Sequence, residues 1–113
     1  MQYSPLMVGL KRFNIWDERG RLLCPACGYD TELQIPQYTE DCGLRIFICE
    51  ACLWEPGFDD GDASTPDDVT VCLRAYRQGW GGVSPWLGSG SPPTDWSGEH
   101  QLAHLFVVAP HVR

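Results

Sequence analysis

The chain has 113 residues, enough for one domain that buries about two-thirds of the surface exposed when unfolded. Its 15 acidic side chains against 8 basic ones give a formal charge of -7, which disfavours non-specific binding to nucleic acid. No apolar run approaches membrane-spanning length, and 6 cysteines are too few for a fold defined by disulfides.

Met1-Gln2-Tyr3-Ser4-Pro5-Leu6 has neither the basic nor the apolar region of a secretory signal, so a cytoplasmic setting with reduced thiols is expected. Lys11, Arg12, Arg19 and Arg21, diluted by Asp17 and Glu18, make a mildly basic segment and a weak nucleic-acid footprint. Phe13-Asn14-Ile15-Trp16 and Arg21-Leu22-Leu23 flank Asp17-Glu18-Arg19-Gly20. Gly20 suits the positive φ of a turn, which predicts a short hairpin.

That hairpin leads into Cys24-Pro25-Ala26-Cys27, which pairs with Cys49-Glu50-Ala51-Cys52 across a stretch of about the length a zinc ribbon needs. Cys24, Cys27, Cys49 and Cys52 are the expected ligands of one structural Zn2+ ion. Four thiolates close the tetrahedron and leave no position at which water could be activated. Redox or disulfide chemistry is the competing use of such pairs. Leu33-Gln34-Ile35-Pro36 and Leu44-Arg45-Ile46-Phe47-Ile48 read as the ribbon's two strands, the first short or at an edge because Pro36 lacks a ladder donor. The ribbon is placed at about residues 22–56, with Cys42 an exposed turn thiol outside the ligand set.

After the second pair, residues 53–58 are expected to fold an aromatic cover over the site, with Trp54 in the core. From Glu50 through Asp68 lie seven carboxylates, and no Lys or Arg interrupts them. Such a run is either a solvated face or a docking surface for a basic partner, steered electrostatically. Glu55, Asp59, Asp60 and Asp62 are the candidates for docking.

Thr65-Pro66-Asp67-Asp68 predicts a helix start, with Thr65 as N-cap, Pro66 at the first helical position and two acids near the positive end of the dipole. Val69, Cys72, Leu73 and Tyr76 recur at helical spacing, which predicts a helix over about 66–78 ended by Gly79. Residues 80–98, rich in Gly, Ser and Pro, fit no regular element. Trp80 and Trp96 are expected to cover the core, and Trp86 to meet a partner. Glu99 to Val108 is compatible with a helix or, from Leu105, a strand, before Pro110 stops it. On a helix His100 and His104 would share a face, but neither a Glu after His100 nor a third ligand is evident nearby.

Cys24-Pro25-Ala26-Cys27-Gly28-Tyr29 followed by Ile48-Cys49-Glu50-Ala51-Cys52-Leu53-Trp54-Glu55 resembles the bacterial cysteine-rich CPCC domain family. There, a Cys-Pro-Cys-Cys-Gly-Tyr start precedes Ile-Cys-Pro-x-Cys-x-Trp-Glu, an acidic Gly-rich stretch and a helix with Leu, Ala, Arg and Tyr. The likeness covers about residues 24 to 79, with Leu73-Arg74-Ala75-Tyr76 answering to that helix. Ala26 stands in place of the family's middle cysteine, and the family's Gly-Asn run is missing. The resemblance implies a zinc-ribbon-like fold and a bacterial setting, and no activity.

The expected architecture is a single small α+β domain: a zinc-ribbon β-hairpin core, one main helix and a long Gly/Pro/Trp-rich loop. The expected function is that of a non-enzymatic, protein-binding module. In one concrete version it is an inhibitor or immunity-type protein that offers carboxylates to a basic partner where phosphates would otherwise bind. One alternative is a nucleic-acid-binding ribbon using Arg21, Arg45, Arg74 and Arg77 with Tyr29 or Trp16. The other is a redox or metal-dependent enzyme using Cys42, Cys72 or the histidines.

Overall fold

The computed structural model describes residues 9–32, 38, 48–61 and 63–113. Among them, the order is a 3-10 turn at Leu10–Phe13, strands β1 (Ile15–Trp16) and β2 (Leu22–Leu23), helices α1 (Pro66–Gln78) and α2 (Gly98–Val108), and a 3-10 turn at Pro110–Val112. The protein is thus a small α+β structure. Two helices stand where one main helix was expected. Leu33–Pro36, Leu44–Phe47 and Cys42, on which the expected ribbon strands and turn thiol fall, lie outside the described residues.

Strands β1 and β2 pair antiparallel, Ile15 opposite Leu23 and Trp16 opposite Leu22. The turn between them is organised by Asp17. Its carboxylate accepts the backbone N–H groups of Arg19 (2.8 Å) and Arg21 (2.9 Å), and the Arg19 guanidinium at 3.1 Å. Desolvation pushes the Asp17 pKa up, but the N–H bonds of Arg21 and Arg19 together with the Arg19 guanidinium outweigh it and hold the group below its ordinary value. A depressed carboxylate stabilises the fold above its unfolded pKa, and the benefit disappears as pH falls through the folded value. The difference in Tm between the parent and Asp17→Asn is therefore expected to shrink as pH is lowered from about 6 to 3. A difference constant over that range in thermal scans would count against the assignment.

Helix α1 begins in a reciprocal capping box: the Thr65 hydroxyl accepts the Asp68 N–H, and the Asp68 carboxylate accepts the Thr65 N–H. Its inner face is Val69, Leu73 and Arg77. Helix α2 resolves the choice between helix and strand for the chain's last apolar segment. The Ser97 side chain accepts the His100 N–H, Glu99 sits in the first turn, and the Trp96 indole donates to the Gln101 side chain at 2.8 Å. Pro110 then permits only a short 3-10 turn. Residues 79–97 hold turns and bends without helix or strand.

Around the two cysteine pairs the core collects Leu10, Phe13 and Ile15 from the N-terminal part, Val69 and Leu73 from α1, and Leu105 from α2. Tyr38 ties this core to the acidic segment. Its backbone exchanges two hydrogen bonds with the Asn14 side chain, its ring lies 5.8 Å from Phe13, and its hydroxyl donates to Asp60 at 2.9 Å.

Candidate metal centre

Two separate pieces of chain make the same turn. The N–H of the first cysteine donates to the carbonyl five residues on, Cys24 to Tyr29 and Cys49 to Trp54, both at 2.9 Å. The N–H four residues on donates back, Gly28 to Cys24 and Leu53 to Cys49, both at 2.8 Å. This geometry puts the residue after the second cysteine in the left-handed region, with φ of 86° at Gly28 and 66° at Leu53. Glycine meets that demand without strain, whereas Leu53 meets it at a cost.

The turns face one another. Cys24 Sγ lies 3.7 Å from Cys52 Sγ, Cys27 Sγ lies 3.7 Å from Cys49 Sγ, and all four sulfurs fall within 4.8 Å of each other. A tetrahedral ion with metal–sulfur bonds of about 2.3 Å needs an edge of about 3.8 Å. All four cysteines are fully buried. Burial pushes the Cys24 and Cys27 thiols well up, while hydrogen bonds from Cys24, Cys27 and Cys52 draw Cys49 down. Four mutually repelling thiolates need a cation, and the donor set suits a thiophilic, four-coordinate one.

Aromatic rings close the site. Trp54 is fully buried and meets Tyr76 edge-on at 5.1 Å, and the Tyr76 hydroxyl donates to the Cys52 carbonyl at 2.5 Å. Burial, aided by the Cys52 thiolate, pushes the Tyr76 phenol far above its ordinary pKa, so it remains a neutral donor. On the other side Trp86 is half-buried between Tyr29 (5.7 Å) and Trp96 (5.3 Å). The next residue, Leu87, donates its N–H to Ala51 in the second turn at 2.7 Å. Trp86, expected to meet a partner, is therefore part of the cover. Trp80 completes the stack on Tyr76 at 5.6 Å.

The docking candidates are rearranged by the fold. Asp60 is fully buried, accepting Tyr38 Oη at 2.9 Å and the Gly57 N–H at 2.7 Å, so it cannot present its carboxylate to a partner. Glu55 and Asp59 are half-buried, and Asp59 accepts the Glu55 N–H at 2.7 Å. Burial, with the Asp60 charge beside it, raises the Asp59 pKa against the pull of that bond. Asp62 lies outside the described residues. The exposed group of this turn is Phe58, 68% accessible, where sequence reasoning had placed it in the cover.

The histidine pair is also redistributed. His104 Nε2 lies 3.2 Å from the Glu18 carboxylate while His100 is exposed, and Asp17, Glu18 and His104 converge within 4.8 Å. Asp17 is already engaged by the N–H groups of its own turn. Arg21 pairs with Asp30 at 3.0 Å, Arg74 donates to the Arg113 carbonyl at 2.8 Å, Arg77 is buried, and Arg45 lies outside the described residues. Sequence reasoning had offered Arg77 only for a nucleic-acid patch, although its phase with Val69 and Leu73 on α1 was the signal for an inward position.

In comparisons with known proteins, the chain matches no family model, no curated protein and no solved structure. Among the described residues no helix is long and apolar enough to cross a membrane.

Proposed function

We propose that the protein is a non-enzymatic module in which one structural zinc ion fixes a platform for a basic protein partner, as an inhibitor or immunity-type protein would. The observation that carries this reading is the buried four-sulfur cluster, with two sulfur–sulfur separations of 3.7 Å and all four within 4.8 Å of one another. Such a donor set saturates zinc and serves shape in preference to catalysis. The resemblance of the cysteine turns to the CPCC family agrees with it. Phe58, standing out from a turn that also holds Glu55 and Asp59, supplies an aromatic anchor with acidic neighbours. Engagement of Arg21, Arg74 and Arg77 within the fold weighs against a nucleic-acid patch.

The test is intact-complex mass spectrometry of the protein purified without added metal from cells that also express its genomic neighbours. One zinc per chain and one bound protein are expected, with Phe58→Ala weakening that complex by 10-fold or more, roughly the effect of losing one anchor residue. Added salt should loosen it further. Bound nucleic acid, or an iron ion in the cluster, would replace this reading.

A further inference from the structure

The inner face of α1 repeats Val69, Leu73 and Arg77, so the third member of an apolar row is a cation, only 8% exposed. Its guanidinium donates in three directions: Nε to the Ala26 carbonyl at 2.6 Å, Nη2 to the Pro25 carbonyl at 2.5 Å, and Nη1 to the Val112 carbonyl at 2.5 Å. One face rests on the Phe106 ring, 5.0 Å from its centroid. Every one of these partners is neutral, and among the described residues no carboxylate forms an ion pair with Arg77.

A buried cation without a counter-ion is strongly disfavoured. Pro25 and Ala26 are the two residues between the ligands Cys24 and Cys27, so the guanidinium grips the first cysteine turn from behind. Desolvation draws the Arg77 pKa down to about 10, opposed by the thiolates of Cys24, Cys27 and Cys52, and the group stays charged at neutral pH. Four thiolates on a dication leave an excess of two negative charges in the same interior.

We propose that Arg77 is the internal counter-ion and positioning residue of the metal centre, holding the Cys24–Cys27 turn in its metal-competent form and fastening the C-terminal Val112 to it. This rests on the metal reading above. A fork with three divergent donors performs both tasks at once, which a lysine ammonium on a flexible stem cannot reproduce. Outer partners of metal ligands act in this way, by orienting the ligand and tuning its charge. Metal loading and order in the C-terminal segment are then linked through one side chain.

The experiment measures zinc affinity by competition with a chromogenic chelator, the absorption spectrum of the cobalt-substituted protein, and hydrogen exchange in residues 98–113, for the parent, Arg77→Gln, Arg77→Lys and the helix control Arg74→Gln. Arg77→Gln is expected to bind one zinc about 10- to 100-fold more weakly. It should also shift the sulfur-to-cobalt charge-transfer band and speed exchange at the C-terminus. Arg77→Lys, which restores charge without the fork, is expected to fall between, and Arg74→Gln to keep parental affinity. Zinc affinity of Arg77→Gln within about twofold of the parent overturns the proposal, and so does Arg77→Lys binding as weakly as Arg77→Gln. Should Arg77→Gln not fold, an intermediate affinity for Arg77→Lys supports the role and parental affinity overturns it. A parent that takes up neither zinc nor cobalt fails differently, removing the metal centre itself and this inference with it.

Discussion

Cys49→Ser is expected to strip the metal from the protein and to abolish most of its cooperative unfolding transition. Structural zinc contributes on the order of 10 kcal/mol of apparent binding free energy, comparable with the whole stability of a small domain, about 5–15 kcal/mol. The backbone bonds of each cysteine turn run within it, and the sulfurs meet across the gap, while α1 reaches one turn through Arg77 and the other through Tyr76. Cys49 is one corner of the cluster, its sulfur 3.7 Å from Cys27 Sγ, so cutting it opens the tetrahedron. Removing it leaves three buried sulfurs and an incomplete donor set. Cys42→Ser, at a position outside the ligand set, is expected to keep the metal and the transition. Mass spectrometry under native conditions and a thermal scan decide the matter: one zinc and an unchanged Tm in Cys49→Ser would take that residue out of the ligand set.

The equivalent positions Gly28 and Leu53 are expected to respond very unequally to substitution. A Cβ at Gly28 would lie 2.9 Å from the Leu105 Cβ and closer still to the Gln101 carbonyl oxygen, both in α2, and the backbone there has a φ of 86°. Gly28→Ala thus combines left-handed strain with overpacking, each about 1–3 kcal/mol, and is expected to push α2 off the first cysteine turn. Leu53 occupies the same place in the second turn with φ 66° and is 44% exposed. Leu53→Gly relieves strain of about 1 kcal/mol and adds about 0.5–1 kcal/mol of unfolded-state entropy, so it is expected to stay within about 1 kcal/mol of the parent. Denaturant titration of the two variants side by side measures this. Equal losses would show that α2 does not depend on the missing side chain at Gly28.

What could be read in the sequence was whatever depends on near neighbours. The helix at Pro66–Gln78 was legible because Thr65, Pro66 and Asp68 build its start locally. The cysteine turns were legible because two pairs at the right spacing have few other uses. The α2 segment was ambiguous because its apolar run, Leu105-Phe106-Val107-Val108, satisfies a strand as well as a helix, and the Ser97 cap decided it. Three features of the site depend on contacts distant in sequence. Arg77 is defined by carbonyls 51, 52 and 35 residues away. Asp60 is buried because Tyr38, 22 residues earlier, reaches it, and Trp86 is covered because Tyr29 and Trp96 close on it.

The inward turn of these carboxylates changes what the formal charge of -7 means to an approaching molecule. Asp60 faces a phenol and a peptide N–H, Asp59 another peptide N–H, and Asp68 the N–H groups at the start of α1. Each such carboxylate is satisfied by local dipoles, which occupy its lone pairs but leave its net charge in place. The long-range potential still follows the net charge, while fewer carboxylate oxygens are open to direct contact than the composition implies. A basic partner would be steered by the net charge and then held by groups other than these carboxylates.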